Sequence, residues 1–178
     1  MNGCIEFELL EIGTASPCAT HIVLGIDERF IRGATVCIAS AAYNSTNGIC
    51  AHIIYGQKEG SDKVFNALNS LVNLFKNLSI RLYSIKNFAS HLSVTESITS
   101  AMHYRYSIGE LLWKEVDKVI YLDADTVVDC NLDNLYSLDM KNRILGAVED
   151  YVKDTTLPNE VRMGSIILDY ISTQAFFL

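Results

Sequence analysis

Residues 119–129 read VIYLDADTVVD. Val119, Ile120, Tyr121 and Leu122 form an unbroken apolar run, and Asp123 and Asp125 follow with one alanine between them. A strand with one wet face alternates apolar and polar residues, whereas an unbroken run suits a strand covered on both faces of a parallel sheet. The segment therefore reads as a buried strand that delivers two carboxylates to its carboxyl end.

The same pattern recurs upstream. HIVLGI (21–26) stops at Asp27, and the small-residue segment IRGATVCIASAAYN (31–44) suits a helix packed closely on a sheet. CAHIIYG (50–56) is a second strand, after which Ser61 caps SDKVFNALNSLVNLFKNL with Val64, Leu68, Leu71, Phe75 and Leu78 at helical spacing. IRLYSI (80–85) is a third strand, residues 95–116 a further helix and KVIYLD (118–123) a fourth strand. ILGAVE (144–149) and GSIILD (164–169) are weaker strand candidates. Apolar strands separated by helix-length segments predict an α/β domain, with a mostly parallel sheet and helices on both faces. Residues 1–20 break the alternation and read as an irregular N-terminal extension to a domain over 21–178. Ligands of such sheets collect beyond the carboxyl ends of the strands, where Asp27, Asp123 and Asp125 stand.

Composition narrows the chemistry. The 178 residues are 49% hydrophobic with a net charge of −7 and no Lys/Arg cluster, so the basic footprint of a nucleic-acid binder is missing. Five cysteines, odd in number and without a C-x-x-C, suggest neither a disulfide framework nor a zinc cluster and place the chain in the cytoplasm. Glu6, Glu8 and Glu11 stand where a secretory signal carries positive charge, and no apolar stretch reaches the length of a membrane span.

D-x-D spacing alone is expected by chance in a chain of this composition; its place at a strand end makes it informative. In extended backbone, residues two apart face the same side at about 6–7 Å, so both carboxylates address one ligand. Two anions held that close at the edge of a core call for a cation. Mg²⁺ or Mn²⁺ fits, taking one or two carboxylates and filling its other positions with water and phosphate oxygens. The bland alternative is that Asp125 starts a turn while Asp123 caps something nearby. A calcium loop is excluded, since Val128 stands where that loop requires glycine, and neither G-x-G-x-x-G nor G-x-x-x-x-G-K-[ST] occurs to cradle a phosphate.

Several ordered segments together resemble glycosyltransferase family 8, the retaining, metal-dependent enzymes that include lipopolysaccharide galactosyl- and glucosyltransferases and glycogenin. HIVLGIDERF resembles the family's opening strand and donor loop, YRYSIGELL its Arg-bearing helix, and VDKVIYLDADTVVDCNLDNLY its D-x-D block; LGAVED and GSIILD fit the next two segments. The resemblance implies a GT-A-like nucleotide-diphospho-sugar transferase domain. It further implies that Asp123 and Asp125 ligate Mn²⁺ (or Mg²⁺) on the diphosphate of UDP-galactose or UDP-glucose and that Ala124 lies against the ribose. Gly25, Ile26 and Asp27 would contact the uridine, Arg105 would project toward the donor sugar and phosphates, and Asp150 would hold sugar hydroxyls. The implied acceptor is a glycan such as lipooligosaccharide, met at the inner face of the membrane by a peripheral protein.

Each assignment has a plain structural counterpart. Asp27 could cap the segment after it, Arg105 could be a solvated helix residue, one of Glu149 and Asp150 could be an ordinary surface acid, and His103 reads as structure. The chain also departs from the family: Arg162 stands where an Asn commonly precedes the later strand, and Arg29 replaces a polar amide after the donor-loop acid. The sequence ends at QAFFL, before the downstream His and the Gly/Lys segment of the family, so a C-terminally truncated member is expected, self-associating through its apolar end. Two other readings compete. LDADTV also satisfies the haloacid-dehalogenase pattern, with Asp123 as nucleophile and Asp125 as acid/base, and a non-catalytic remnant would bind only nucleotide or partners.

Overall fold

A computed structural model describes residues 5–56, 61–86, 103–141, 143–146 and 176–177. In chain order the elements are β1 (Phe7–Ile12), β2 (Thr20–Ile26), a 3-10 turn (Glu28–Phe30), α1 (Ile31–Asn44), β3 (Ile49–Gly56), α2 (Ser61–Leu74) and β4 (Leu78–Ile85). A second 3-10 turn (Tyr104–Ser107), α3 (Ile108–Leu112), β5 (Ile120–Tyr121), α4 (Asp133–Tyr136) and β6 (Phe176–Phe177) follow. The strands form one sheet in the order β1-β4-β3-β2-β5-β6. β2, β3, β4 and β5 run parallel, while β1 and β6 lie antiparallel at the two edges.

The unbroken apolar runs form the centre of this sheet. Every residue of β3 except Gly56 is buried, because neighbours cover both its edges and helices both its faces. Alternate side chains along each strand then supply two separate cores. On one face Ile22, Leu24, Ile26, Ile49, Ala51 and Ile53 meet Ala34, Cys37, Ile38, Ala41 and Ala42 of α1 and Val64 and Leu68 of α2. On the other, Val23, Ile54, Tyr83 and Tyr121 meet Tyr104, Ile108, Leu111 and Leu112. Full burial of each large apolar side chain is worth about 1.5–3 kcal/mol.

The structure corrects several expectations. Residues 7–12 are not irregular: they form β1, with Glu8 paired to Lys86 at 2.8 Å and Glu11 to Arg81 at 2.9 Å. An edge strand with five exposed residues carries no unbroken apolar run, which is why the pattern misses it. α2 ends at Leu74, and Leu78 opens β4. The described part of the expected 95–116 helix is a 3-10 turn followed by five residues of α3, where the Ser107 hydroxyl donates to the Tyr104 carbonyl at 2.6 Å. Of KVIYLD, Ile120 and Tyr121 make the ladder, and the Leu122 N–H donates to the Val23 carbonyl at 3.0 Å. Ile144 is 86% exposed, so the start of ILGAVE is not a buried strand. Residues 95–102, 147–150 and 164–169 lie outside the described residues.

Candidate functional site at the strand ends

Asp123 leaves the sheet just past β5, and two groups fix its carboxylate. The Tyr121 hydroxyl donates to Asp123 Oδ1 at 2.8 Å. The Arg105 guanidinium lies over the Tyr121 ring, 5.2 Å from its centroid, and reaches within 3.8 Å of the same oxygen. That guanidinium is almost enclosed, with 8% of the Arg105 side chain exposed against 20% for Asp123, so it is not the solvated helix cation of the bland reading. Burial raises the Asp123 pKa above the ordinary carboxylate value; Tyr121 and Arg105 oppose the shift, Asp125 adds to it, and the balance is upward.

The D-x-D backbone is a turn, not the extended segment expected. The Thr126 N–H donates to the Asp123 carbonyl at 3.0 Å, which buries Ala124 and exposes Asp125. This turn rests on α1. A Cβ on Gly33 would stand 2.5 Å from the Ala124 carbonyl oxygen, so only glycine permits the approach. Asn44 Nδ2 donates to the Val128 carbonyl at 2.8 Å, and the Val128 N–H donates to Ser40 Oγ at 3.0 Å. Burial, with Asp123 and Asp125 close by, pushes the Cys37 thiol of α1 up to about 12.

Farther along, Asp133 ties this loop to the opposite ends of the strands. It accepts from Thr20 Oγ1 and Thr46 Oγ1, each at 2.7 Å, and from the Asn47 N–H at 3.3 Å. Partial burial raises its pKa, but the bonds from Thr20, Thr46, Asn131 and Asn47 outweigh that and hold it below the usual range.

At the end of β2, Ile26 is fully buried and Gly25 half-buried. Asp27 caps the following turn, accepting from the Arg29 N–H at 2.9 Å and pairing with the Arg29 guanidinium at 2.8 Å. The capping alternative is thus realised in the structure. Beside it, the Tyr104 hydroxyl occupies the space that a Cβ on Gly56 would need. Burial raises the Tyr104 pKa, with Asp27 and Tyr55 adding to the shift. Since Tyr104 and Arg105 are adjacent in one 3-10 turn, that turn links the Asp27 corner to the Asp123 corner. His103 stacks on Tyr106 with centroids 6.0 Å apart. Asp150 and Arg162 lie outside the described residues.

Two carboxylates on a pinned turn, one of them exposed, are a hard oxygen donor set with room for water and phosphate ligands. They fit Mg²⁺ or Mn²⁺.

The profile of glycosyl transferase family 8 matches residues 21–169, which includes β2 through the D-x-D turn. The chain belongs to glycosyl transferase family 8. Among curated relatives it is 27% identical over 144 residues to the probable galacturonosyltransferase-like 6 of Arabidopsis thaliana, covering 77% of this chain and 40% of that protein. It is 29% identical over 138 residues to the lipopolysaccharide glucosyltransferase WaaO of Escherichia coli K12, covering 76% of this chain and 39% of that protein. The chain thus spans about 40% of the length of these relatives. The galactosyltransferase LgtC, solved in complex with donor and acceptor sugar analogs, superposes with a TM-score of 0.68 at 22% identity, covering 82% of this chain and 52% of that one. The fold is therefore that of GT-A glycosyltransferases. LDADTV lies within the family match, and the phosphohydrolase reading of it has no support.

Sequence reasoning missed Tyr121, Tyr104, Gly33 and Gly56. Glycines in a helix and at a strand end were the available signal, since each marks a close approach; nothing in the pattern distinguished Tyr121 from an ordinary core aromatic.

Proposed function

We propose that this chain carries the donor site of a metal-dependent, retaining hexosyltransferase that moves a hexose from a UDP-sugar to a glycan such as lipooligosaccharide. The observation that carries the reading is the Asp123-Ala124-Asp125 turn at the end of β5, with Asp123 held between Tyr121 and Arg105. Asp123 and Asp125 would hold Mn²⁺ or Mg²⁺. When bound, that ion supplies Lewis-acid neutralisation of the diphosphate on which the departing UDP gathers charge.

The remaining roles belong to side chains. The Arg105 guanidinium, buried and set over Tyr121, faces the developing phosphate charge with its orientation already fixed. Ala124, buried against Gly33, gives the ribose a flat floor, while Gly25 and Ile26 flank the uridine and Asp27 accepts from the uracil N3–H. Asp150 would hold sugar hydroxyls. Gly33, Ser40 and Asn44 keep the turn rigid, which matters because misplacement by about 1 Å can cost on the order of a hundred-fold in rate.

Cysteines 18, 37, 50 and 130 are free thiols, and no helix among the described residues is long and apolar enough to cross a membrane. The reading further puts the chain in the cytoplasm, meeting a lipid-linked acceptor peripherally at the inner membrane face. The relatives' names span glucosyl and galacturonosyl transfer, so the donor panel should too. Equilibrium dialysis with labelled UDP-galactose, UDP-glucose and UDP-galacturonate in Mn²⁺, with UDP release followed in parallel, is the test. One UDP-hexose should bind more tightly than its ADP counterpart. Equal binding of uridine and adenosine donors would overturn the reading, and binding without any sugar release would identify a remnant.

A further inference from the structure

Away from the D-x-D turn, toward the amino ends of β2 and β3, three metal-ligating side chains converge on one face of the sheet. His21 and Cys50 are direct partners across the parallel ladder, and His52 stands two residues beyond Cys50 on the same side. Their ligand atoms all lie within 4.8 Å of one another: His21 Nδ1 is 2.9 Å from His52 Nε2, which is 3.7 Å from Cys50 Sγ. Two zinc bonds of 2.0–2.3 Å subtend about 3.3 Å between nitrogens and about 3.6 Å between nitrogen and sulfur at a tetrahedral centre. Cys50 Sγ already stands at that distance from His52 Nε2, and the two imidazole nitrogens need open by a few tenths of an ångström. His21 Nδ1 lies within 4.8 Å of the sulfur, close enough for a side-chain adjustment to complete the set.

We propose that His21 Nδ1, Cys50 Sγ and His52 Nε2 form a structural Zn²⁺ site. Water completes the tetrahedron on the side of His21, which is the half-buried member; Cys50 and His52 are buried. A thiolate with two imidazoles selects a borderline-soft cation and not the hard ion suited to Asp123 and Asp125. The supporting shell is also present. The Tyr83 hydroxyl stands 3.1 Å from His52 Nδ1; in the tautomer protonated at Nδ1 it accepts that N–H and leaves the Nε2 lone pair for metal. Arg81, whose charge reaches His21, Cys50 and His52, is paired with Glu11 and Glu115. Burial keeps both imidazoles neutral, that of His52 down to about 3. On binding, the Cys50 thiol gives its proton to solvent and its sulfur the electron pair of the metal bond. Hydrogen bonds from His52 to His21 and to Cys50 hold the three together without metal, and the cation would use all three ligand atoms at once.

The test is Co²⁺ and Zn²⁺ titration of the reduced full chain in excess Mn²⁺. The expected result is a thiolate-to-Co²⁺ charge-transfer band that reaches one equivalent per chain, is displaced by Zn²⁺ and persists in Asp125→Asn. Cys50→Ser should abolish the band. Tyr83→Phe should weaken Zn²⁺ binding about ten- to a hundred-fold. If Cys50→Ser fails to fold, the combined Cys4→Ser, Cys18→Ser and Cys130→Ser variant should keep the band and His21→Gln should lose it. No band in the native chain, or one that the combined variant loses, would overturn the proposal.

Discussion

Tyr121 donates to Asp123 Oδ1 at 2.8 Å while the Arg105 guanidinium lies over the face of the same ring, 5.2 Å from its centroid. One buried aromatic thus orients both the carboxylate that the proposed donor site would offer to a metal ion and the guanidinium that it would offer to a phosphate. Removing only its hydroxyl isolates the first role, because phenylalanine keeps the ring and its packing. Tyr121→Phe should fold normally and bind UDP in Mn²⁺ about ten- to a hundred-fold more weakly, the usual effect of losing a ligand-orienting partner. Calorimetry checks this, and unchanged affinity would reduce Tyr121 to a core residue.

The contact between α1 and the D-x-D turn makes a paired prediction about glycines. At Gly33 an added methyl would meet the Ala124 carbonyl oxygen at 2.5 Å, whereas at Gly109 in α3 it would meet nothing within 4 Å. Gly33→Ala should lower stability by about 1–3 kcal/mol as the turn is pushed away, and Gly109→Ala should raise it by up to about 1 kcal/mol through helix propensity. Urea denaturation of both variants checks the signs, and a Gly33→Ala protein as stable as the parent would mean that the turn is not pinned.

Acid sensitivity should trace in part to Asp133. Its folded pKa is depressed, so its contribution is present above the unfolded carboxylate value of about 3.9 and is lost as pH falls through the lower folded value. Asp133→Asn should lower stability at neutral pH by about 1–3 kcal/mol through the weakened bonds from Thr20, Thr46 and Asn47, and flatten the acid limb. Stability measured against pH decides it; parallel curves for the two proteins would assign the acid limb elsewhere.

How legible all this was in the sequence follows from where each side chain is buried. HIVLGI, CAHIIYG and IRLYSI announce β2, β3 and β4 because strands covered on both faces are apolar along most of their length. β1 escapes the same rule, since an edge strand needs only one good contact row and FELLEI buries only Ile12. The carboxylates were visible through their position at a strand end. The turn that presents them was not: it depends on Gly33 packing beneath Ala124, a contact made 91 residues away in the chain. His21, Cys50 and His52 look unrelated until the β2–β3 register brings them together.

Base selectivity tests the Asp27 corner. Arg29 already engages this carboxylate, so in the proposed site uridine would share it, and the bond to uracil N3–H is the one that adenine does not offer. UDP should compete better than ADP, and Asp27→Ala should erase a preference on the order of ten- to a hundred-fold, as expected for a hydrogen bond to a charged group. A preference that survives the substitution would place the base elsewhere.

Calorimetric titration of UDP into the native chain and into Asp125→Asn, each with and without Mn²⁺, tests the central claim most directly. Asp125 is exposed, so its substitution leaves the core untouched while removing half of the carboxylate pair. Native protein should bind UDP at least about ten-fold more tightly with Mn²⁺ than without it, because the acidic site alone repels a diphosphate, and Asp125→Asn should lose most of that gain. Equal affinity in all four titrations would contradict a donor site built on the D-x-D turn.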